Sequence, residues 1–234
     1  MSRYEKMVNS LKRMQEIRGG VTQNVLDYSK LVEDQTKPIE DDIDLSPTGK
    51  LKKVKEAKMA MGAGFLELAK KLKDEYQKES ISAKVAAEDI LNQVPNAPSD
   101  SSVKTFERNL ASLKLDLKLG RSDSISLGRL KSFVGTIDQP YFAQRIVDDY
   151  SDIIGLFDGL ADIKPELSLL LESLRDKAKT DEQKHAEQVL QTIDNEYSRD
   201  LFTRGLVMDT LHDTFGHEVA DYANQPHLHK GEDA

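Results

Sequence analysis

The sequence predicts an all-α protein in which long, amphipathic, coiled-coil-like N-terminal helices are followed by a helical bundle. Three observations lead there. Apolar residues step by three and four along two long segments, the spacing that keeps one side of a helix turned to a partner helix. The 234-residue chain is 38% apolar and 32% charged, with seven Phe, seven Tyr and no Trp, a balance that suits long helices with one buried stripe better than a thick mixed core. Good helix formers fill most stretches between the seven prolines, which fall at plausible helix starts or in linkers.

The first helix is expected over about 2–32. Its seam is Tyr4, Met7, Leu11, Met14, Arg18, Val21, Val25, Tyr28 and Val32, with Gly19-Gly20 as a point where it could kink. An irregular acidic linker containing Pro38 follows. Ser46-Pro47 then reads as a cap and first helical residue, opening a second helix to about Glu79 with Leu51, Val54, Lys58, Met61, Phe65, Leu68 and Leu72 as its seam. Gly62 and Gly64 each cost such a helix about 1 kcal/mol against Ala, so their expected use is close approach of another helix beside Met61 and Phe65. A third helix is expected over about 82–94. The seven positions Leu11, Met14, Val25, Val54, Met61, Phe65 and Leu68 form the expected partner interface. Two pairings are open: the seams join as an antiparallel hairpin within one chain, or between chains. Homo-oligomeric association is preferred because Arg18 and Lys58 suit a seam near solvent better than a closed core.

The stretch Pro95 to Ser102, two prolines among small polar residues, reads as a linker between an N-terminal arm (1–94) and a C-terminal bundle (103–223), with an acidic, His-containing tail over 224–234. Val103, Phe106, Leu110, Leu113 and Leu117 share a helical face. The alternation of Leu113, Leu115, Leu117 and Leu119 also fits a small hairpin over 113–127, the less favoured alternative. Further helices are expected near 127–134, from Gln139 to Leu160, from Pro165 onward with Leu167, Leu170, Leu171 and Leu174, and over about 181–197 and 198–223.

Composition narrows function. Without Cys there are no disulfides, thiolate chemistry or cysteine-ligated metals, and a cytoplasmic setting follows naturally. No apolar run has the length of a membrane span or the form of a signal peptide, so no membrane partner is expected. Twelve acidic and four basic residues between Asp181 and Ala234 carry the whole net charge of −8, which disfavours a broad nucleic-acid surface. Lys50, Lys52, Lys53, Lys55 and Lys58 are the local exception. They read chiefly as a solvated basic turn neutralised by Glu33, Asp34, Glu40, Asp41, Asp42 and Asp44, and alternatively as a contact for phosphate or an acidic partner. No phosphate-binding glycine loop and no Gly-x-Ser-x-Gly turn occurs.

One stretch looks chemical, Leu211-His212-Asp213-Thr214-Phe215-Gly216-His217-Glu218. His212 to His217 resembles the iron motif of the aromatic amino acid hydroxylases over six residues. That resemblance implies His212 and His217 as metal ligands with a later glutamate, for which only Glu218 and Glu232 are present. His185 with His212-Asp213 is also similar to the HD phosphohydrolases, with Asp221 as the closing carboxylate. In a continuous helix His212 and His217 lie about 140° apart around the axis, so both can face one ion only if the helix breaks near Gly216. The preferred reading places Leu211, Phe215 and Val219 on a buried stripe with both histidines solvated, and no cofactor is expected, a divalent metal at His212 and His217 being the alternative.

The first helix, the acidic linker, Leu45-Ser46-Pro47-Thr48-Gly49-Lys50 and the Lys-rich helix with Glu56-Ala57 together resemble the small helical proteins encoded among the head and tail genes of double-stranded DNA phages. The resemblance spans about a fifth of the chain. It implies a virion-assembly component (scaffold, chaperone, adaptor or internal protein) that works through helix contacts with protein partners. The preferred function is therefore a non-enzymatic helical interaction protein, ahead of a metal-dependent enzyme using His212 and His217 and of a nucleic-acid accessory protein.

Overall fold

A computed structural model describes residues 1–120, 122–157, 160–196 and 200–229. The fold is all-α, 82% helical, with ten α-helices, one 3-10 turn and no strand among the described residues. The helices are α1 (Arg3–Asp41), α2 (Pro47–Leu91), α3 (Asp100–Lys118), α4 (Asp123–Gly135), α5 (Pro140–Asp148), α6 (Tyr150–Ile154), α7 (Leu160–Lys177), α8 (Asp181–Glu196), α9 (Leu206–Phe215) and α10 (His217–Ala223). They form two compact units, residues 1–88 with 189–234 and residues 89–188, so that both junctions fall inside helices, α2 and α8. Pro95 to Ser102, the expected linker, lies within the second unit and joins α2 to α3.

The first unit is organised by an antiparallel pairing of α1 with α2. Ser10 Oγ donates to Ser82 Oγ at 3.0 Å, the Arg13 guanidinium meets Glu75 at 2.7 Å, and the Tyr28 hydroxyl reaches the Gly64 carbonyl at 3.5 Å. Near the connection, Lys50 Nζ donates to the Glu40 carbonyl at 2.6 Å. Partner numbers fall on one side as they rise on the other, the signature of a helical hairpin. The two heptad seams therefore meet inside the chain. Arg18 is no obstacle to this closure, because its guanidinium lies 5.6 Å from the centre of the Tyr76 ring, a cation–π contact that leaves the charge near the rim.

The buried stripes differ in detail from the heptad reading. On α1 they are Met7, Ser10, Met14, Ile17, Val21, Val25, Val32 and Thr36. Ile17 and Ser10 thus take the places expected for Arg18 and Leu11. On α2, Gly62, Phe65, Leu66, Ala69, Tyr76, Ser80, Ala83, Ala86, Ala87 and Ile90 are buried, so small residues let the helices approach along half of the length. Leu51, placed in the expected seam, is instead 74% exposed.

Both hairpin helices outrun their expected limits. α1 passes through Gly19-Gly20 without interruption, since Ile17, Val21 and Val25 anchor that length on one face. It also passes Pro38, which lacks an N–H and crowds the preceding turn. Thr36 remains buried there, and Lys50 satisfies a terminal carbonyl. α2 does not stop at Glu79. No breaker separates Glu79 from Ser82, and Ser80 and Ala83 are buried at 1% and 0% exposure, so helix propagation is favoured over a new nucleus. The expected starts hold at both ends: Ser2 and Glu5 close a capping box on α1, and Ser46 Oγ accepts from Gly49 N at 3.1 Å at the head of α2.

In the second unit, α3 packs on α4, α4 and α5 pack on α7, and Phe106 stacks on Phe142 at 4.5 Å. The hairpin alternative over 113–127 is overturned. Phe106, Leu110, Leu113 and Leu117 are buried on one helical face, which leaves Leu115 and Leu119 exposed, and α4 already begins at Asp123. Arg121, within the turn of that alternative, lies outside the described residues. The expected helix from Gln139 to Leu160 divides at Asp149, whose carboxylate pairs with Lys114 at 2.9 Å. α7 begins before Pro165, with Ile163 buried in the added turn. Burial pushes the Tyr150 hydroxyl up to about 12 while it donates to the Leu167 carbonyl at 2.7 Å. Gln183 ties the unit together: with Thr180 it forms a reciprocal cap on α8, and its amide donates to the carbonyls of Ile90, Leu91 and Gln93 at the end of α2.

The expected helix over 198–223 is two, α9 and α10, broken at Gly216, whose φ of 87° favours glycine. Tyr197 and Ser198, where the last two expected helices meet, lie outside the described residues. α9 and α10 fold onto the hairpin around Phe65, whose ring contacts Tyr28, Phe202 and Phe215 at 5.4, 5.6 and 5.5 Å between centres. Here Gly62 has the use expected of it, since a Cβ at that position would stand 2.7 Å from Val219 Cγ2, whereas one at Gly64 would meet only the Tyr28 hydroxyl at 4.0 Å. Gly62→Ala is expected to lower stability by about 1–3 kcal/mol through overpacking despite the better helix propensity of Ala, and Val219→Ala in the same chain to recover part of that loss. Gly64→Ala is expected to be neutral or stabilising. Urea denaturation of the three variants checks this; equal behaviour of the two glycine sites would contradict the packing.

Candidate functional site

The residues expected to form a partner interface divide by depth. Met14, Val25 and Phe65 are buried at 5%, 2% and 0% exposure, between the hairpin helices and under α9 and α10, while Leu11, Val54, Met61 and Leu68 are half-buried at the edges of the same packing. These side chains mainly hold the first unit together. The surface that remains is the end of the hairpin, residues 30–61, beyond the place where Thr214 of α9 bonds Ser29 at 2.9 Å and Val219 of α10 meets Gly62. Only Val32, Thr36 and the central side chains of that stretch are covered, and Leu31, Ile43, Leu51 and Met59 are exposed at 48%, 93%, 74% and 55%.

The charges of this hairpin end are sorted by helix. Six carboxylates lie between Glu33 and Asp44 with Lys37 as the one cation, and five lysines lie between Lys50 and Lys58 with Glu56 as the one anion. Lys50 is engaged in capping α1 through the Glu40 carbonyl, and Lys52 lies 3.9 Å from Glu56 on its own helix. Lys53 and Lys55 are exposed. Among the described residues, none of the six carboxylates is within ion-pair distance of a lysine across the hairpin. The two helices thus present opposite, uncompensated fields side by side.

The histidines form a second arrangement. Gly216 breaks the helix and turns α10 back, which brings the rings of His212 and His217 to 4.6 Å between centres. A straight helix would have kept them apart. His212 Nδ1 is buried without a hydrogen-bond partner, and the residue lines a cleft of about 540 Å³ with Asp200, Arg204, Asp209, Asp221 and Asn224. Asn224 closes the floor by exchanging hydrogen bonds with the Phe202 backbone at 2.9 and 2.8 Å. Asp221, the carboxylate of the phosphohydrolase comparison, therefore shares this cleft with His212. The other proposed donors are dispersed: Glu218 lies 3.6 Å from His229 Nε2, His185 belongs to the second unit, and Glu232 is outside the described residues, as is the end of the tail from Lys230. No group of three His, Asp or Glu side chains among the described residues is placed to hold a metal. No described helix is long and apolar enough to cross a membrane.

Sequence reasoning missed the polar anchors Gln183 and Asn224, because each acts on backbone atoms far away in sequence and neither stands in a recognisable motif. It also placed Leu51 in the seam, where its spacing fits but its position near the helix start leaves it without a neighbour to cover it.

The chain matches no protein-family model, and neither a curated protein nor a solved structure is significantly similar to it. The histidine pair makes its own test. His212→Ala removes a buried, unpartnered nitrogen, so its cost in packing is offset by relief of desolvation and stability is expected to change by less than about 1 kcal/mol. Untagged protein dialysed against zinc, iron or manganese is expected to retain well under one ion per chain by elemental analysis. One ion per chain, lost in His212→Ala, would contradict this.

Proposed function

We propose that this is a non-enzymatic helical interaction protein, whose working surface is the end of the α1–α2 hairpin. The observation that carries the reading is the contrast along that hairpin. Around Phe65 the hairpin is covered by Phe202, α9 and α10, while residues 30–61 keep their hydrogen bonds and ion pairs within the hairpin and expose Ile43 and Leu51 between two blocks of opposite charge. Ile43 and Leu51, at 93% and 74% exposure, place apolar surface between the two charged blocks, where a protein partner would cover it. In the finer reading, supported by the resemblance over the first helix, the acidic linker and Leu45 to Lys50, the protein is a virion-assembly component of a double-stranded DNA phage, and its partners are other proteins of the particle.

A metal-dependent enzyme is the second reading, favoured by one observation, the approach of His212 to His217 beside the carboxylate-lined cleft. It lacks a third converging donor on the described residues, which places it second.

Co-expression with the proteins encoded beside it separates the two. The chain is expected to copurify with at least one of them, and Ile43→Asp with Leu51→Asp to release that partner without changing the circular dichroism spectrum. A chain that binds none of its neighbours, and that hydrolyses or hydroxylates a substrate in a manner lost with His212→Ala, would overturn the interaction reading.

A further inference from the structure

We infer that the hairpin end docks a second copy of this chain, tip over tip about a two-fold axis, with the acidic end of α1 in each copy lying along the basic start of α2 in the other. The inference rests on the interaction reading and names the occupant of the same surface.

Self-complementarity is the argument. In a two-fold contact the same patch serves both copies, so each charged block must meet its opposite when the patch is turned on itself. The hairpin end meets that condition: Asp34, Glu40 and Asp41 stand on one helix and Lys52, Lys53 and Lys55 on its antiparallel neighbour. All six are exposed, and no ion pair joins the two sets within the chain among the described residues. Like-sign blocks would repel in the same arrangement. Antiparallel helices with opposite charge attract a reversed copy and disfavour a parallel one, so the fields fix orientation as well as affinity.

Apolar surface supplies the centre. Ile43, in the connection between the helices, and Leu51, at the start of α2, are 93% and 74% exposed. Lys55 and Met59 continue the line of Leu51 at four-residue spacing, so one side of α2 offers apolar, basic and apolar groups in turn. Overlap of two tips covers Ile43 and Leu51 of both copies, and carboxylates and ammonium groups form a rim around them. A partner that is uniformly acidic or uniformly basic satisfies only one of the two helices. Nucleic acid would meet the block from Glu33 to Asp44 as well as the lysines, and so fits less well than a second copy.

The test is sedimentation equilibrium of the full chain across ionic strength. A dimer is expected at low salt, weakened at least about ten-fold between 20 mM and 500 mM sodium chloride, because the Debye length falls well below the spacing of the charged rims. Lys52→Glu, Lys53→Glu and Lys55→Glu together are expected to give a monomer, as are Asp34→Lys, Glu40→Lys and Asp41→Lys together. An equimolar mixture of the two variants is expected to form a heterodimer, since each then carries the charge that the other has lost. Ile43→Asp, in a connection with no buried role, guards against misfolding of the charge variants and is expected to weaken the dimer while leaving the thermal melt unchanged. A wild-type chain that stays monomeric at low salt overturns the inference, and so does a dimer unaffected by either charge set. A mixture that fails to associate does the same. Any of these leaves copurification with neighbouring proteins as it was, so a wrong occupant is distinguished from a wrong function.

Discussion

Phe65 is fully buried where α1, α2 and the C-terminal helices converge, and the first unit depends on that convergence. Its ring touches Tyr28 from the partner helix of the hairpin and Phe202 and Phe215 from the far end of the sequence. A two-helix hairpin alone is a poor shelter for so large a side chain, because half of its circumference faces water. α9 and α10 complete the enclosure, and they can come close enough only because Gly62 offers no Cβ to Val219. Burial of a side chain of this size contributes about 1.5–3 kcal/mol, but its structural effect is larger than that figure. It joins residues more than a hundred positions apart and leaves the hairpin end, with Ile43 and Leu51, outside the enclosure.

That division explains where function can reside. Of the side chains named in advance as an interface, Met14, Val25 and Phe65 are consumed in the chain's own packing, whereas Ile43 and Leu51, which were not among them, are exposed beyond it. Apart from Lys50, which donates to the Glu40 carbonyl, the lysines and carboxylates of the hairpin end make no cross-helix hydrogen bond or ion pair among the described residues. On the interaction reading proposed above, the hairpin end is the element that would present uncovered surface to a partner. The histidine pair adjoins the same packing, since Phe215 and Val219 on either side of the break at Gly216 both lie against Gly62.

Helix content was legible in the sequence because periodicity is a property of neighbours, and Phe106, Leu110, Leu113 and Leu117 decided for helix against strand in that way. The cap at Ser46 was legible for the same local reason. Ends and breaks were harder. Pro38 and Gly19-Gly20 are strong local signals that lost to tertiary burial of Thr36, Ile17 and Val21, and the division at Asp149 answers to Lys114, which is 35 residues away. The preference for pairing the seams between chains, drawn from Arg18 and Lys58, went the other way, because either pairing satisfies the seams and Arg18 meets the Tyr76 ring within the chain. The cleft around His212 needed the turn at Gly216, a conformation that glycine permits but does not impose.

The central claim is that the two long helices pair with each other in one chain. As the native sequence has no cysteine, Ser10→Cys with Ser82→Cys places two thiols where the hydroxyls now stand 3.0 Å apart. Oxidised as an equal mixture of isotopically light and heavy chains, the variant should yield the disulfide-linked peptide pair within single chains, light with light and heavy with heavy, across a wide range of protein concentration. Mixed light–heavy pairs at the random proportion would show that the seams join different chains and would contradict the account.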